Sequence, residues 1–365
     1  MNVTSFFPSR TVAAYMARLF LTRTFGIAAG LVLVLLTLNL LSESSKILGV
    51  AGNGQAEVMR YVSLRGPQLI AFAIPYSVLL GTILTLMTMN QNSEIIALKA
   101  SGLSAHQVLA PLLLASLGVA IVSFAFNDRV VTRATATLNR WQKVDYAALP
   151  PDRGDRTNVW VRDGDDLIEV DSIAGRGATA RLAGVTLYDR TGGSLVSIIR
   201  APAGKLEGDG WRIGPATRFD VASGQLTSIG SVVVARGVRP DQFTLGTVDA
   251  DGLSFGALRA AIGDLGGAGR PTKALEGSLW HKLSGPLSSV LMPLLGAVAA
   301  FGLARSGQLF VRAVIGMALG FAYFVADNFA LAMGNLGAYP PFLAAWAPFL
   351  LFFLIGEAVL IRSEE

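Results

Sequence analysis

Apolar and polar residues alternate along this chain in long blocks. Unbroken apolar runs occupy residues 25–41, 69–89, 108–126, 287–304, 313–333 and 342–361, each close to the ~20 residues that carry a helix across a ~30 Å hydrocarbon core. Because the runs are continuous, they predict six membrane-spanning helices and not the alternating strands, roughly ten residues each, of a barrel. Three runs precede and three follow a polar, turn-rich stretch, residues 127–282, which no bilayer would hold.

Inside that stretch the pattern shortens. Runs at 158–161, 167–171, 184–189, 194–200, 211–213, 217–221 and 226–235 have strand character and are punctuated by Asp163-Gly164, Gly192-Gly193 and Asp209-Gly210. They predict an inserted all-β domain: a sandwich, a jelly roll or a half-open barrel. Residues 127–146 lack Gly and Pro and predict a continuation of the third helix, 253–265 reads as a short helix, and the Gly-rich 266–273 as a linker. The expected organisation is therefore 1–126 for an interfacial helix and spans one to three, 127–149 for the helical extension, 150–250 for the β domain, 251–280 for helix and linker, and 281–365 for spans four to six. Ahead of the first span, Val12, Tyr15, Met16, Leu19 and Phe20 recur at helical spacing among Arg10, Arg18 and Arg23. A separate interfacial helix and a simple extension of the first span both fit.

Composition agrees with a membrane protein: 365 residues, 52% hydrophobic and only 15% charged, with mean hydropathy +0.52, are too apolar for a soluble chain. Basic residues set the orientation. With the N-terminus inside, the inner segments hold Arg10, Arg18, Arg23, Lys99, Arg305, Arg312 and Arg362, against Lys46, Arg60 and Arg65 in the short outer loops. This predicts cytoplasmic termini and an outward-facing insertion. The insertion's own 20 basic and 18 acidic residues, net +2, do not bear on orientation, because long domains translocate largely regardless of charge. The first run is long enough to span and no small-residue cleavage motif follows it, so it is expected to be retained. With no cysteine, the outward domain must be stabilised by its own apolar core.

Enzymatic chemistry is not expected. No GxxxxGK[ST] loop occurs, so ATP hydrolysis of the P-loop kind is excluded on this chain. The two histidines, His106 and His281, fall at opposite membrane faces, and without cysteine they predict neither a transition-metal centre nor a triad. Nucleic-acid motifs are absent too, and net charge +5 suits anionic lipid.

Polar residues at the membrane carry the candidate chemistry. Asp327, beside Asn328, lies within the fifth span, where a carboxylate faces either a watery, functional cavity or a helix-packing hydrogen bond to Asn328 or to a basic residue at the outer interface. Glu94 follows Asn92-Ser93 in the loop between spans two and three, as a helix N-cap and first-turn charge. Beside it, Ile95, Ile96 and Leu98 give the loop helix an apolar face suited to docking on another protein. At the outer face Lys46, Arg60, Arg65, Arg129, Arg133, Arg140 and Lys143 serve either as snorkelling side chains or together as a rim that binds phosphates.

The chain resembles the LptF/LptG family of lipopolysaccharide-export permeases. The likeness rests on the 3+3 layout about a β domain, on Asn92-Ser93-Glu94-Ile95-Ile96-Ala97-Leu98-Lys99-Ala100-Ser101-Gly102-Leu103-Ser104, on Gly66-Pro67-Gln68-Leu69 with Pro75, and on the last third from Trp280-His281-Lys282-Leu283. Val159-Trp160-Val161-Arg162-Asp163-Gly164 and Tyr323-Phe324-Val325-Ala326-Asp327-Asn328, with Gly337, Pro340 and Pro341, resemble the LptG branch more than the LptF branch. The resemblance implies an ABC-transporter permease subunit in the Gram-negative inner membrane. It would pair with the paralogue LptF, draw work from a dimeric cytoplasmic ATPase, LptB, that holds the ATP and Mg²⁺, and pass lipopolysaccharide over periplasmic jelly-roll domains to LptC and the LptA bridge. It also implies that Glu94, with Ile95 and Leu98, contacts the ATPase, and that Lys46, and further along Arg133, Arg140 and Lys143, serve lipid A phosphates. An exporter of another amphiphile, such as a lipoprotein or a different glycolipid, and a non-transporting scaffold or sensor are the other classes the layout allows.

Overall fold

The computed structural model describes residues 8–148, 156–174, 180–236, 238, 249–267, 271–301 and 309–362. They form two compact units. One contains residues 1–148, 249–259 and 272–365 and is helical; the other contains 149–248 and 260–271 and is built on a sheet.

The helical unit comprises α1 (Arg10–Leu48), α2 (Gln55–Gln91), α3 (Glu94–Ala100), α4 (Ala105–Phe126), α5 (Thr132–Gln142), the start of α6 (Phe255–Gly267), α7 (Lys273–Phe301), α8 (Leu309–Asn335) and α9 (Pro341–Arg362). Among the described residues, five segments are long and apolar enough to cross a membrane: Arg10–Leu48, Gln55–Gln91, Ala105–Gln142, Val314–Asn335 and Pro341–Arg362. The expected run at 287–304 begins in α7, and residues 302–308 lie outside those described. Within the unit α7 is central, packed by α2, α4, α8 and α9, and its Leu291, Met292, Leu294, Leu295 and Ala297 are buried. A helix surrounded by other helices meets little lipid. Ser284, Ser288 and Ser289 can therefore lie buried on it, small enough to let neighbours approach.

The segment expected as an interfacial helix is the first third of α1, which runs unbroken for 39 residues, about 58 Å at 1.5 Å per residue. Its cap is made by Ser9, whose hydroxyl accepts from the Val12 amide. Met16, Phe20 and Thr24 are buried near the start and Ile47 at the end, while no residue from 25 to 46 is buried. The inner part lies against α2 at close range: a methyl group on Gly81 would stand 3.1 Å from Thr24 Cα.

Beyond α4 the helix does not stop. A π turn at Asn127–Val131 leads into α5, and Asp128 accepts the Phe255 amide at the start of α6. The π turn widens the helix by one residue where it changes from an apolar stretch to the amphipathic α5.

The sheet unit is a six-stranded antiparallel meander of β1 (Arg156–Asp163), β2 (Asp166–Ala174), β3 (Arg181–Thr191), β4 (Ser194–Glu207), β5 (Gly210–Asp220) and β6 (Leu226–Val234), each strand pairing with the next. A jelly roll needs Greek-key crossovers, and none joins the described strands. The runs expected as separate strands at 211–213 and 217–221 merge into β5, which passes Gly214-Pro215 by an irregularity of register. Two-residue loops close the β1–β2, β3–β4 and β4–β5 hairpins; Gly192 and Gly193 take φ +58° and +82° between Thr191 and Ser194, as a primed turn demands. Register separates the faces. Ile173, Leu182, Gly204, Ile213 and Val232 line up across β2 to β6 on the core side, and Trp160, Glu169, Thr186, Arg200, Thr217 and Ser228 line up on the other. A one-residue slip would turn a strand's buried side chains away from the core, so burial of the first row holds the pairing. Trp211 closes the core, its indole N–H donating to the Val238 carbonyl at 2.8 Å.

At Gly81 α2 comes against Thr24 of α1 with no room for a side chain. Gly81→Val is expected to cost about 1–3 kcal/mol by overpacking against Thr24, read as a lowered melting temperature in detergent. Gly30→Ala, where nothing lies within 4 Å, is expected to be neutral or stabilising.

Candidate functional site

Functional candidates gather at three places in the helical unit. The first is the end that holds the start of α1, the α2–α4 connection and the end of α9. Here α2 stops at Gln91 and α3 restarts at Glu94. Ser93 stands between them in the left-handed region at φ +60°, and its hydroxyl makes no capping bond, contrary to the expected N-cap. A working cap stands instead at the head of the next helix, α4, where Ser104 and Gln107 form a reciprocal box. Glu94 keeps its first-turn charge, and its Oε1 accepts from Asn92 Nδ2 at 3.2 Å and Tyr15 Oη at 3.3 Å.

The apolar residues of α3 divide by direction. Ile95 is only 5% exposed and turns into the chain's own core, Leu98 packs partly against that core, and Ile96 faces outward at 61% exposure. Adjacent positions on a helix cannot face one way, and Ile95 is the one turned into the core. Behind α3, His106 Nε2 meets Glu357 Oε2 at 3.2 Å, tying α4 to α9.

At the other end of α1 and α2, the basic residues fall into two groups. Arg65 donates from Nε to Asn39 Oδ1 at 3.1 Å and from Nη1 to Gln68, whose amide in turn donates to Thr135 Oγ1 at 2.9 Å, so that α1, α2 and α5 are linked. Arg60 lies over the Trp141 ring, 4.8 Å from its centroid. These two are engaged within the fold. Lys46 pairs with Glu43 at 2.9 Å but keeps 64% of its side chain exposed. Arg129, Arg133, Arg140 and Lys143 are exposed at spacings of four, seven and three, which places them along one face of the π turn and α5. Arg140 Nε donates to the Ala136 carbonyl at 3.3 Å.

Glu43 joins the groups. Besides Lys46 it accepts from Tyr146 Oη at 2.7 Å, and Asn53 Nδ2 holds both the Tyr146 and Ile47 carbonyls. Burial, then the bond to Glu43, pushes the Tyr146 phenol up to about 12, so it remains a neutral donor across the physiological range. The junction between α1 and the end of α5 is thus insensitive to ordinary pH.

The third place lies between α7 and α8. Asp327, 6% exposed, receives His281 Nε2 at Oδ2, 3.1 Å away, and its Oδ1 has no hydrogen-bond partner among the described residues. The partner is not Asn328, which donates to the Phe324 carbonyl of its own helix; the expected alternative of a basic residue is met by His281 of α7. The layout held a signal for this pairing, since the start of the fourth span and the second half of the fifth fall at one membrane face. Tyr323 is buried beside the pair, and Tyr76 of α2 stacks on Phe324 at 4.0 Å. Among the described residues, no three His, Cys, Asp or Glu side chains stand together to hold a metal ion.

The pair makes a double prediction. His281→Leu would leave a buried carboxylate without its partner and should destabilise toward the low end of ~3–5 kcal/mol, because the imidazole is partly solvated. The double substitution His281→Leu with Asp327→Leu should recover most of that loss. Equal melting temperatures for single and double variants in detergent would refute the pairing.

Comparison with known proteins accounts for the extent of this arrangement. The family model described as lipopolysaccharide export system permease LptF/LptG matches residues 14–362. The chain is similar to the lipopolysaccharide export system permease protein LptG of Escherichia coli strain K12, at 25% identity over 327 residues, covering 86% of this chain and 89% of that protein. It is also similar to LptG of Haemophilus influenzae, at 20% identity over 325 residues with the same coverage of 86% and 89%. With both helical halves and the inserted sheet inside one match, the chain belongs to the LptF/LptG family of lipopolysaccharide export permeases, on the side of its LptG members.

Proposed function

We propose that this non-catalytic permease subunit draws lipopolysaccharide from the inner membrane and delivers it to its outward-facing sheet domain, powered by a separate ATPase. The observation that carries the reading is the family match across residues 14–362. In this reading the chain crosses the membrane six times, with both termini in the cytoplasm and the sheet domain, completed as a jelly-roll-like fold, in the periplasm. Its partners are an LptF paralogue, a dimeric LptB-type ATPase holding ATP and Mg²⁺, LptC and the LptA bridge.

The α3 end receives the work. Glu94 and the outward Ile96 present charge and apolar surface to the ATPase, while Ile95 and Leu98 anchor α3 to the core beneath, so that a push on α3 is not absorbed by the loop. At the outer end, Lys46 and the α5 stripe of Arg133, Arg140 and Lys143 offer cations to lipid A phosphates, and Arg60 and Arg65 support them from engaged positions. Exposing acyl chains to water costs ~0.8 kcal/mol per CH₂. A multi-acyl lipid must therefore pass from one apolar surface to another, which gives the attached sheet domain its purpose.

Two substitutions test the reading. Glu94→Lys is expected to reduce ATP-driven lipopolysaccharide release to the ATP-free background while the subunits still co-purify; full transport would refute the coupling role. Lys46→Glu should weaken photocrosslinking of lipopolysaccharide from neighbouring outer positions, and undiminished crosslinking would remove Lys46 from the cargo site. If mass spectrometry of the co-purified complex finds another amphiphile in place of lipopolysaccharide, the cargo assignment falls.

A further inference from the structure

The bond between Tyr15 and Glu94 joins residues 79 positions apart, one near the start of α1 and one at the first position of α3. Nothing in the function derived so far needs it. Tyr15 is 48% exposed, whereas Met16, its neighbour in sequence, is fully buried. The phenol is therefore not held by the core, and its hydroxyl reaches sideways to the Glu94 carboxylate. That same Oε1 takes Asn92 Nδ2 from its own loop. One carboxylate oxygen is shared between the loop that carries α3 and the helix α1.

Each side of this link has mechanical consequences. With seven residues, α3 is too short to hold its direction by its own hydrogen bonds. Its bearing comes from Ile95 below and from what grips Glu94. On the other side, α1 is a single helix without an internal proline, with a half-buried stripe but no fully buried residue from 25 to 46, and tied toward its far end through Asn39 to Arg65 and through Glu43 to Tyr146. An unbroken helix packed this lightly along its middle moves as a rod. Near its start it bears on α2 where Thr24 meets Gly81, which supplies a pivot between Tyr15 and the outer end.

We propose that Tyr15 is a positioning residue that fixes the Glu94 carboxylate and ties α1 to α3, so that displacement of α3 is transmitted along α1 to the outer end that carries Glu43 and Lys46. The proposal rests on the coupling role of Glu94 stated above. A phenol placed only to anchor α1 at the lipid headgroups would need its ring and not its hydrogen bond to this carboxylate. Removal of the hydroxyl alone separates the two roles.

The test uses Tyr15→Phe in the complete complex, reconstituted with its ATPase and partner subunit in proteoliposomes containing lipopolysaccharide. Because the chain has no cysteine, Ser42→Cys, at an exposed position near the outer end of α1, can be labelled with an environment-sensitive fluorophore in the purified chain before assembly. With Tyr15 present, ATP should change the fluorescence at position 42. With Tyr15→Phe that change, and the lipid released per ATP hydrolysed, should fall about tenfold, the order expected for loss of a hydrogen bond to a charged acceptor, while the bound ATPase and its hydrolysis rate hold. A Tyr15→Phe complex whose position-42 signal and transport ratio match the parent overturns the proposal. If Glu94→Lys disables transport and Tyr15→Phe is silent, only the link to α1 fails. If Glu94→Lys is silent too, the coupling role of Glu94 fails and takes the link with it.

Discussion

A hydrocarbon interior offers no hydrogen-bond partner, so every backbone amide and carbonyl that enters it must be paired within its own segment. In the helical unit this constraint yields long helices even where the sequence contains breakers: α2 carries Pro67 and Pro75 inside it, α4 Pro111, α7 Pro286 and Pro293, and α9 Pro348. The same constraint excludes a sheet with open edges from the bilayer, and accordingly the six strands form a unit of their own. It acts on side chains as well. Several polar groups of the helices occur in pairs and chains, His281 with Asp327 and Arg65 with Asn39, Gln68 and Thr135. Each bond that satisfies a polar atom also joins two or three helices at a defined height.

The polar links are distributed unevenly, and so is the apolar packing. Buried residues of α2, α4 and α7 interleave, with Gly356 of α9 so close to Leu294 that an added methyl would lie 2.7 Å from its Cγ. Interdigitated apolar surfaces resist relative motion because any shift opens voids. By contrast α1 fully buries residues only in its first third and at its tip, and is joined elsewhere by a half-buried stripe and by hydrogen bonds. Bonds of that kind can be exchanged for others without leaving a cavity. The architecture therefore separates a stiff group of helices from one long helix able to tilt.

Much of this was legible in the order of residues. Continuous apolar runs marked the spans, and the change to short alternating runs marked the inserted sheet, because periods of 3.6 and 2 follow directly from backbone geometry. What escaped depended on neighbours distant in sequence. Nothing local to Asp327 names His281, 46 residues away, as its partner. Nothing within Ile95-Ile96 says which of the two will turn into the core. Gly214-Pro215 has the form of a strand break, yet β5 continues past it because Arg212 and Ile213 on one side and Thr217 to Phe219 on the other keep their pairing to β6. The first third of α1 fitted two readings equally, since an amphipathic helix on the membrane surface and one running on into a span share the same 3.6-residue repeat.

That last ambiguity matters for function. If the segment from residue 10 to 24 lay on the membrane as a separate helix, a hinge would stand between it and the span, and motion at Glu94 would be lost as bending. Continuity from Arg10 to Leu48 removes the hinge. The cost of bending a hydrogen-bonded helix lacking proline then opposes local deformation and favours rotation of the whole about a close support, the Thr24 and Gly81 approach. Roughly ten residues separate Tyr15 from that support and more than twenty separate the support from Lys46. Under the proposed coupling, a small displacement at the α3 end would thus become a larger one at the Lys46 end, as a carrier requires if work received at one end of the helices is to open a path at the other.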